Sequence, residues 1–424
     1  MSAIFSARLP ERPQPDDNPE MRTVPASPRV LYSYPSKLGA TRICYTAWQS
    51  VANVATAGAE VLVFPGALQR PLPEFVRVRP TLARGKIRLP YKVLGTIPTF
   101  KLHDYIVAKR LRKLAGQIDV VHTWPVGALQ TLKVAKELGI ATVLERPNAY
   151  TRYAYQVVAQ ECARLGVTMP TNHEHAFHED ILRIEEAEYA AADFLLCPSD
   201  FVKQTFLDAG FSSDKLLRHQ YGFDEKVFTS TARRPSEGLG MIFVGGAAPR
   251  KGLHYALEAW LRSSASAKGE FLIAGEFIPS YEQKLRPMLA HPSVKPLGHR
   301  NDVADLMRQS DILVLPTIEE GSALVTSEAR GSGCVLLVSK AAGAICTHMK
   351  DALVHEVGNV DQLTQHLDLL DRDRGILERL RTESLRTIDQ ITWSAAGRRL
   401  LKVYQEAIAR RRCDGSTVPL ERNE

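Results

Sequence analysis

The chain lacks most of the features that would mark a specialised class. Its cysteines (Cys44, Cys162, Cys197, Cys334, Cys346 and Cys413) are scattered and form no C-x-x-C pair. Disulfide-framework and structural-zinc readings therefore lose their footing, and reduced thiols in a cytosolic protein fit best. No apolar run reaches the ~18–20 residues that a membrane-spanning helix needs. The amino terminus has no basic segment followed by an apolar core, so no secretory signal is expected. Residues 1–27, rich in Pro, Asp and Glu from position 10 onward, are expected to form a disordered leader. The net charge of +7 comes with no helix-turn-helix, zinc-finger or RNA-recognition signature, so nucleic acid is not an expected partner.

What is present is size and alternation. A chain of 424 residues exceeds one ordinary core, so two domains are expected. Apolar runs at residues 29–34, 60–64, 119–124, 141–145 and 192–199 alternate with helical segments, which predicts a doubly wound parallel α/β sheet over residues 28–228. A polar stretch with Pro235 and two glycines, residues 229–239, reads as a linker. The alternation restarts at Met241 and predicts a second such domain over residues 240–390, then a helix over 391–410 and a flexible tail over 411–424.

Charge is uneven. Residues 70–113 hold twelve Lys or Arg against Glu74 and Asp104. Such a patch suits an anionic lipid or lipid pyrophosphate, and it suits equally well a solvated face. The helix expected over residues 101–115 covers the sheet, with contact to a membrane surface as an added expectation. Residues 150–178 carry His173, His175 and His178 close together. No carboxylate accompanies them in a metal-ligand pattern, and a mobile, acceptor-facing insert is expected there.

The most informative stretch is residues 311–339. An apolar run (312–315) leads through Pro316 and Thr317 to Glu319, Glu320, Gly321 and Ser322; a helical segment and a second apolar run (335–338) follow. This is a βαβ unit whose loop lies at the carboxyl end of a parallel strand, the edge where α/β sheets bind ligands. The helix start there offers unpaired N–H groups to an anion such as a phosphate. Glu320 closes the loop, and Glu328 projects from the helix about two turns later, so the pair can grip two parts of one extended ligand.

The pattern Pro316-Thr317, Glu320-Gly321-Ser322-Ala323, Glu328-Ala329 and Gly331-Ser332-Gly333-Cys334-Val335 resembles the E-x7-E signature of retaining family-4 glycosyltransferases with the GT-B fold. It departs at Ser322 and Ala323, where Phe and Gly are usual in the family. The resemblance extends to Lys251-Gly252, which matches a K-G loop on the donor diphosphate; the family's Arg position is Gly246 here, and Arg250 is the expected substitute. It also covers the "DVVH" strand ending in His122, the loop with Arg146 and Asn148, the loop bearing Gly39, and a closing helix with Trp393 and Tyr404.

The resemblance implies two Rossmann-like domains around a cleft. The enzyme would move a sugar from a nucleoside-diphosphate donor to an acceptor hydroxyl with retention, needing no metal and no cofactor. Glu320 and Lys251 would be the catalytic residues. Gly246, Arg250, Lys251, Arg300, Glu320, Ala323, Leu324, Val325 and Glu328 would hold the donor, with Gly39, His122, Arg146 and Asn148 on the acceptor side. The acceptor would be a sugar, glycan or lipid-linked molecule. The location would be the cytoplasm, with peripheral contact at the inner face of an anionic membrane. The alternative from another class is a non-catalytic sugar-nucleotide-binding partner in a glycan biosynthesis complex, which Gly246 and Ser322-Ala323 favour.

Overall fold

The structure is a computed structural model that describes residues 24–84, 87–88, 95–171, 173, 175–231 and 237–415. Most of the expected leader, half of the expected linker and part of the basic segment lie outside these residues.

The first domain is built on a seven-stranded sheet: β1 (Arg29–Leu38), β2 (Glu60–Leu68), β3 (Arg77–Val78), β4 (Val120–Thr123), β5 (Ala141–Glu145), β6 (Phe194–Cys197) and β7 (Leu216–Arg218). All pairings are parallel, in the order β3-β2-β1-β4-β5-β6-β7. The crossovers are α1 (Ile43–Thr56), α2 (Thr96–Arg112), α3 (Leu129–Glu137), α5 (Glu179–Ala191) and α6 (Asp200–Asp208), with α4 (Thr151–Leu165) inserted before α5. The second domain repeats the scheme with β8 (Gly240–Val244), β9 (Glu270–Ala274), β10 (Val294–Gly298), β11 (Ile312–Leu315), β12 (Val335–Ser339) and β13 (Ala352–His355), ordered β10-β9-β8-β11-β12-β13. Both sheets reverse order beside their first strand, and such switch points open crevices at the strands' carboxyl ends. The central strands are apolar on both faces because helices cover both sides; Ile312, Leu313, Val314 and Leu315 are wholly buried.

Two helices cross between the domains in opposite directions. The last helix, α13 (Trp393–Gly415), lays Leu400, Val403, Tyr404, Ala407 and Ile408 into the first domain's core. Gly397 permits this, since a Cβ there would stand 2.5 Å from the backbone of Asn53 in α1. The helix continues to Gly415, beyond the expected start of the tail. In the other direction, α4 occupies much of the stretch expected to be a mobile insert. It is instead a docked helix: Leu165 and Val167 belong to the second domain's core, and Val158 and Cys162 pack on Ile318. Its Glu161 pairs with His254 across the domains at 2.7 Å.

His122, expected at the acceptor rim, is corrected by the same packing. Strand β4 lies in the sheet's interior, so His122 is wholly buried. Its Nδ1 meets the Tyr404 hydroxyl at 2.7 Å, and its Nε2 lies 3.4 Å from Glu145. Glu145 also accepts from Tyr221 and pairs with His219, each at 2.8 Å. Burial would raise the Glu145 carboxyl, but the two imidazoles outweigh it and hold it down at about 2. This network fastens α13 to the sheet. Tyr404→Phe keeps the ring and removes the hydroxyl from His122, and it should lower stability by about 1–3 kcal/mol, the cost of orphaning a buried polar group. The urea midpoint reads this directly, and an unmoved midpoint would mean that the hydroxyl does not anchor the helix.

Candidate functional site

The site begins where two loops at the carboxyl edge of the second sheet are laced together. The loop after β8 carries Arg250, Lys251 and Gly252, and enters α7 (Leu253–Arg262); the loop after β11 carries Thr317, Glu319 and Glu320, and enters α10 (Leu324–Gly331). The Thr317 hydroxyl lies 2.8 Å from the Arg250 carbonyl, and the Ile318 N–H donates to the same carbonyl at 2.9 Å. The loops approach so closely that a Cβ on Gly252 would stand 2.0 Å from the Pro316 carbonyl oxygen, and Gly252 has a φ of 68°. Glycine is the residue that meets both demands.

Four charges meet in this lacing. Arg250 is buried and donates through Nε to Glu319 at 2.6 Å and through Nη2 to Glu320 at 2.8 Å. Lys251 donates to the other Glu320 oxygen. Burial alone would push the Glu320 carboxyl up, but the Arg250 and Lys251 charges hold it well below the usual carboxylate range. Glu319 reaches across the cleft as well, accepting from the Ala149 N–H of the first domain at 3.3 Å. Gly321 is pinched beside it: a Cβ there would lie 1.6 Å from the Pro147 carbonyl oxygen.

Lys251 also lines a large cavity, about 810 Å³. This lies in the range of roughly 300–1,000 Å³ typical of small-molecule sites. Gly246 and Arg300 line it too, as do Arg42, Pro170 and His173 from the amino-terminal half of the chain. Three expected donor contacts are thus gathered on one cavity. Arg250 is not among them; the expectation that it reaches the diphosphate is corrected, because its guanidinium is committed to Glu319 and Glu320. Ala323 is corrected similarly, since its N–H donates to the Ala342 carbonyl at 3.3 Å. Leu324 and Val325 then open α10, whose start has neither a side-chain cap nor an acidic residue in its first turn.

Glu328 stands apart from the four-charge cluster. It is half-buried and accepts no hydrogen bond from the described residues, while its charge reaches the Tyr45 phenol in the first turn of α1. Of the residues expected to meet the acceptor, Arg146 and Asn148 line a smaller cavity of about 140 Å³ together with Glu319, Glu185 and His175. Gly39 is not at either cavity: its φ of 85° and a would-be Cβ 2.5 Å from the Arg70 Cβ make it a packing glycine. Sequence reasoning missed that Arg42 lines the large cavity, and it missed the partner role of Glu319. An acid immediately before Glu320 and a base immediately before Lys251 were the available signal.

With this geometry in place, likeness to known proteins can be weighed. Residues 239–373 match the family model "Glycosyl transferases group 1". The chain is 28% identical over 114 residues to N,N'-diacetylbacillosaminyl-diphospho-undecaprenol alpha-1,3-N-acetylgalactosaminyltransferase of Campylobacter jejuni, a match spanning 26% of this chain and 30% of that enzyme. It is 24% identical over 323 residues to MMP alpha-(1->4)-mannosyltransferase of Mycolicibacterium hassiacum, spanning 74% of this chain and 76% of that one. Among solved structures, Anabaena HepE in complex with UDP and glucose superposes with a TM-score of 0.60 at 15% identity, covering 89% of this chain and 100% of that chain. The fold is GT-B, and together these likenesses support a glycosyltransferase.

One titration follows from the site. Burial raises the Glu328 carboxyl to about 7 from its ordinary 4.5. The folded state therefore favours the protonated acid: its contribution is full below the unfolded value and is lost as pH rises through the folded one. Glu328→Gln cannot ionise. It should match the wild type near pH 5 and exceed it by about 1–2 kcal/mol above pH 8, a range discounted for partial exposure. Urea midpoints across that range check this, and parallel profiles would show that Glu328 is ordinarily solvated.

Proposed function

We propose that the chain is a retaining glycosyltransferase that moves a sugar from a nucleoside diphosphate to an acceptor hydroxyl. The observation that carries this reading is the position of Lys251, which touches Glu320 and also lines the large interdomain cavity beside Gly246 and Arg300. As the bond to the sugar breaks, negative charge develops on the departing diphosphate. Lys251 and the N–H groups of Leu324 and Val325 are the groups to stabilise it, in the place a metal ion takes elsewhere. Donor phosphate draws Lys251 away from Glu320, and the freed carboxylate oxygen then accepts from the sugar's hydroxyls and fixes the anomeric carbon. Glu328, ready to exchange hydrogen bonds with a ribose diol, holds the nucleoside end. The acceptor hydroxyl enters from the side of Arg146, Asn148 and Glu319.

The nucleotide-sugar class is supported by the UDP named in the HepE complex, and a lipid-linked acceptor by the diphospho-undecaprenol in the name of the Campylobacter enzyme. The outer face of α2 adds to the latter. Lys101, Tyr105, Lys109 and Arg112 recur along one stripe and are exposed, with Leu102 beside them. No helix among the described residues is long and apolar enough to cross a membrane. Peripheral contact from the cytoplasmic side is the arrangement this face fits.

A panel of nucleoside-diphosphate sugars, assayed for released nucleoside diphosphate with and without candidate acceptors, tests the reaction. One donor should be consumed, and Glu320→Ala should cut turnover by at least about a hundredfold, the scale seen when a transition-state group is removed. Unchanged turnover would overturn the role given to Glu320, and binding without turnover would leave a sugar-nucleotide-binding partner as the reading. For the membrane face, vesicles rich in phosphatidylglycerol should sediment the protein at low salt. Lys101→Glu with Lys109→Glu should release it, and equal sedimentation with neutral vesicles would rule out charge-led docking.

A further inference from the structure

The carboxyl edge of the first sheet holds a charged group that the donor site does not use. Strands β1 and β2 run side by side to Leu38 and Leu68, and Arg70 follows two residues later. Gly39 lets the two chain segments close up there, because a Cβ on it would stand 2.5 Å from the Arg70 Cβ. Against Arg70 lies the start of α1, where the Tyr45 and Trp48 rings stack with centroids 5.8 Å apart and planes 16° from parallel. The Arg70 guanidinium carbon lies 5.1 Å from the Tyr45 centroid and 5.4 Å from that of Trp48.

The aromatic pair is itself fixed. Trp48 Nε1 donates to the Pro71 carbonyl at 3.0 Å, and the Gln49 amide donates to the Tyr45 hydroxyl at 2.6 Å. Two rings, a neighbouring carbonyl and a glycine thus hold the arginine in one place, yet it is exposed to solvent. Stacking occupies the face of a guanidinium and leaves the N–H donors in its plane to other partners. Among the described residues, no carboxylate makes an ion pair with Arg70. Its position also matters. Tyr45 stands one turn after Arg42, which lines the large cavity, and the Glu328 charge reaches the Tyr45 phenol from α10. Arg70 therefore sits on the cleft's rim, beside the large cavity but not among its walls.

Resting on the transferase reading above, we propose that Arg70, laid on Tyr45 and Trp48, binds an anionic group of the acceptor, a phosphate or diphosphate ester. The planar fork matches two phosphate oxygens. Because the rings already order the side chain, less entropy is lost on binding than by a free surface arginine. A phosphate seated there anchors the acceptor at the rim and leaves its hydroxyl to enter the cleft. The ester belongs either to a lipid diphosphate or to a soluble sugar phosphate, and the test has an arm for each.

The test is titration of the full chain, without donor, by farnesyl diphosphate and by glucose 6-phosphate, with glucose as the uncharged control. Binding heat gives the affinity, and tryptophan emission reports on Trp48, since Trp124, Trp260 and Trp393 are buried. One of the two anions should bind and change the emission, and Trp48→Phe should bind it without that change. Arg70→Gln should weaken it by about ten- to a hundredfold, as expected for one charge-assisted contact, and should flatten its salt dependence. Arg70→Lys, which keeps the charge and loses the fork, should recover part of the loss. A purely structural Arg70 would lower the melting temperature of Arg70→Gln and leave its affinity as in the wild type. That affinity, or a wild type that binds neither anion, would overturn the role of Arg70 and leave the donor assay untouched. Failure of the donor assay with Arg70-dependent binding intact would remove the transferase reading and keep the anion site.

Discussion

Two carboxylates and two cations, Glu319, Glu320, Arg250 and Lys251, close on one another where a lone buried charge would cost several kcal/mol. Electroneutrality is the condition for this corner of the protein to exist. It welds the loop after β8 to the loop after β11, and these loops carry Lys251 and Glu320, the side chains proposed to meet the donor's diphosphate and sugar. The same corner sets the spacing of the domains. Glu319 accepts from Ala149, the Ser199 hydroxyl donates to the Gly321 carbonyl, and Gly321 leaves no room for a side chain beneath Pro147. Arg250 serves mainly as ballast in this arrangement. By satisfying Glu319 and one side of Glu320, it leaves Lys251 as the member that can exchange partners without stranding a charge.

The two glutamates of the E-x7-E pattern are chemically unlike although both are carboxylates. Glu320 is kept ionised by adjacent cations, so it is a fixed acceptor. Glu328 is pushed to about 7 by burial, so it sits close to the point where it takes up or releases a proton at neutral pH. Environments that drive two like groups in opposite directions are a common basis for dividing labour within a site. In the proposed reaction one carboxylate would orient the sugar and the other would adapt to the nucleoside.

How much of this was legible in the sequence depends on how local each feature is. The alternation of apolar runs and helical segments announced two parallel α/β domains, because strand burial on both faces leaves continuous apolar runs such as Ile312 to Leu315. The spacing of Lys251-Gly252 and of Glu320 to Glu328 was readable because each lies on one loop or one loop–helix unit whose geometry is fixed by few residues. Arg250 was misread because its partners lie 69 and 70 positions away, and no periodicity reports a pairing at that separation. His122 failed for a related reason. A histidine on an apolar strand looks the same in sequence whether the strand's end faces a cleft or its middle faces Tyr404. Polar composition suggested a mobile insert at α4, since the half of the helix that packs was outvoted by the half that meets water.

That docked helix limits how the cleft can close. Helix α4 leaves the first domain and, with the turn that follows it, buries Leu165 and Val167 in the second, while α13 leaves the second and buries Tyr404 in the first. Each crossing is fastened by a buried polar pair, Glu161 with His254 and Tyr404 with His122. Two opposed crossings forbid the domains from separating freely about a single linker. The motion they allow is a small rotation that keeps both helices seated, a shear or narrow hinge. A cleft restricted in this way need not order two independent bodies when a ligand arrives, so less binding energy is lost to closure.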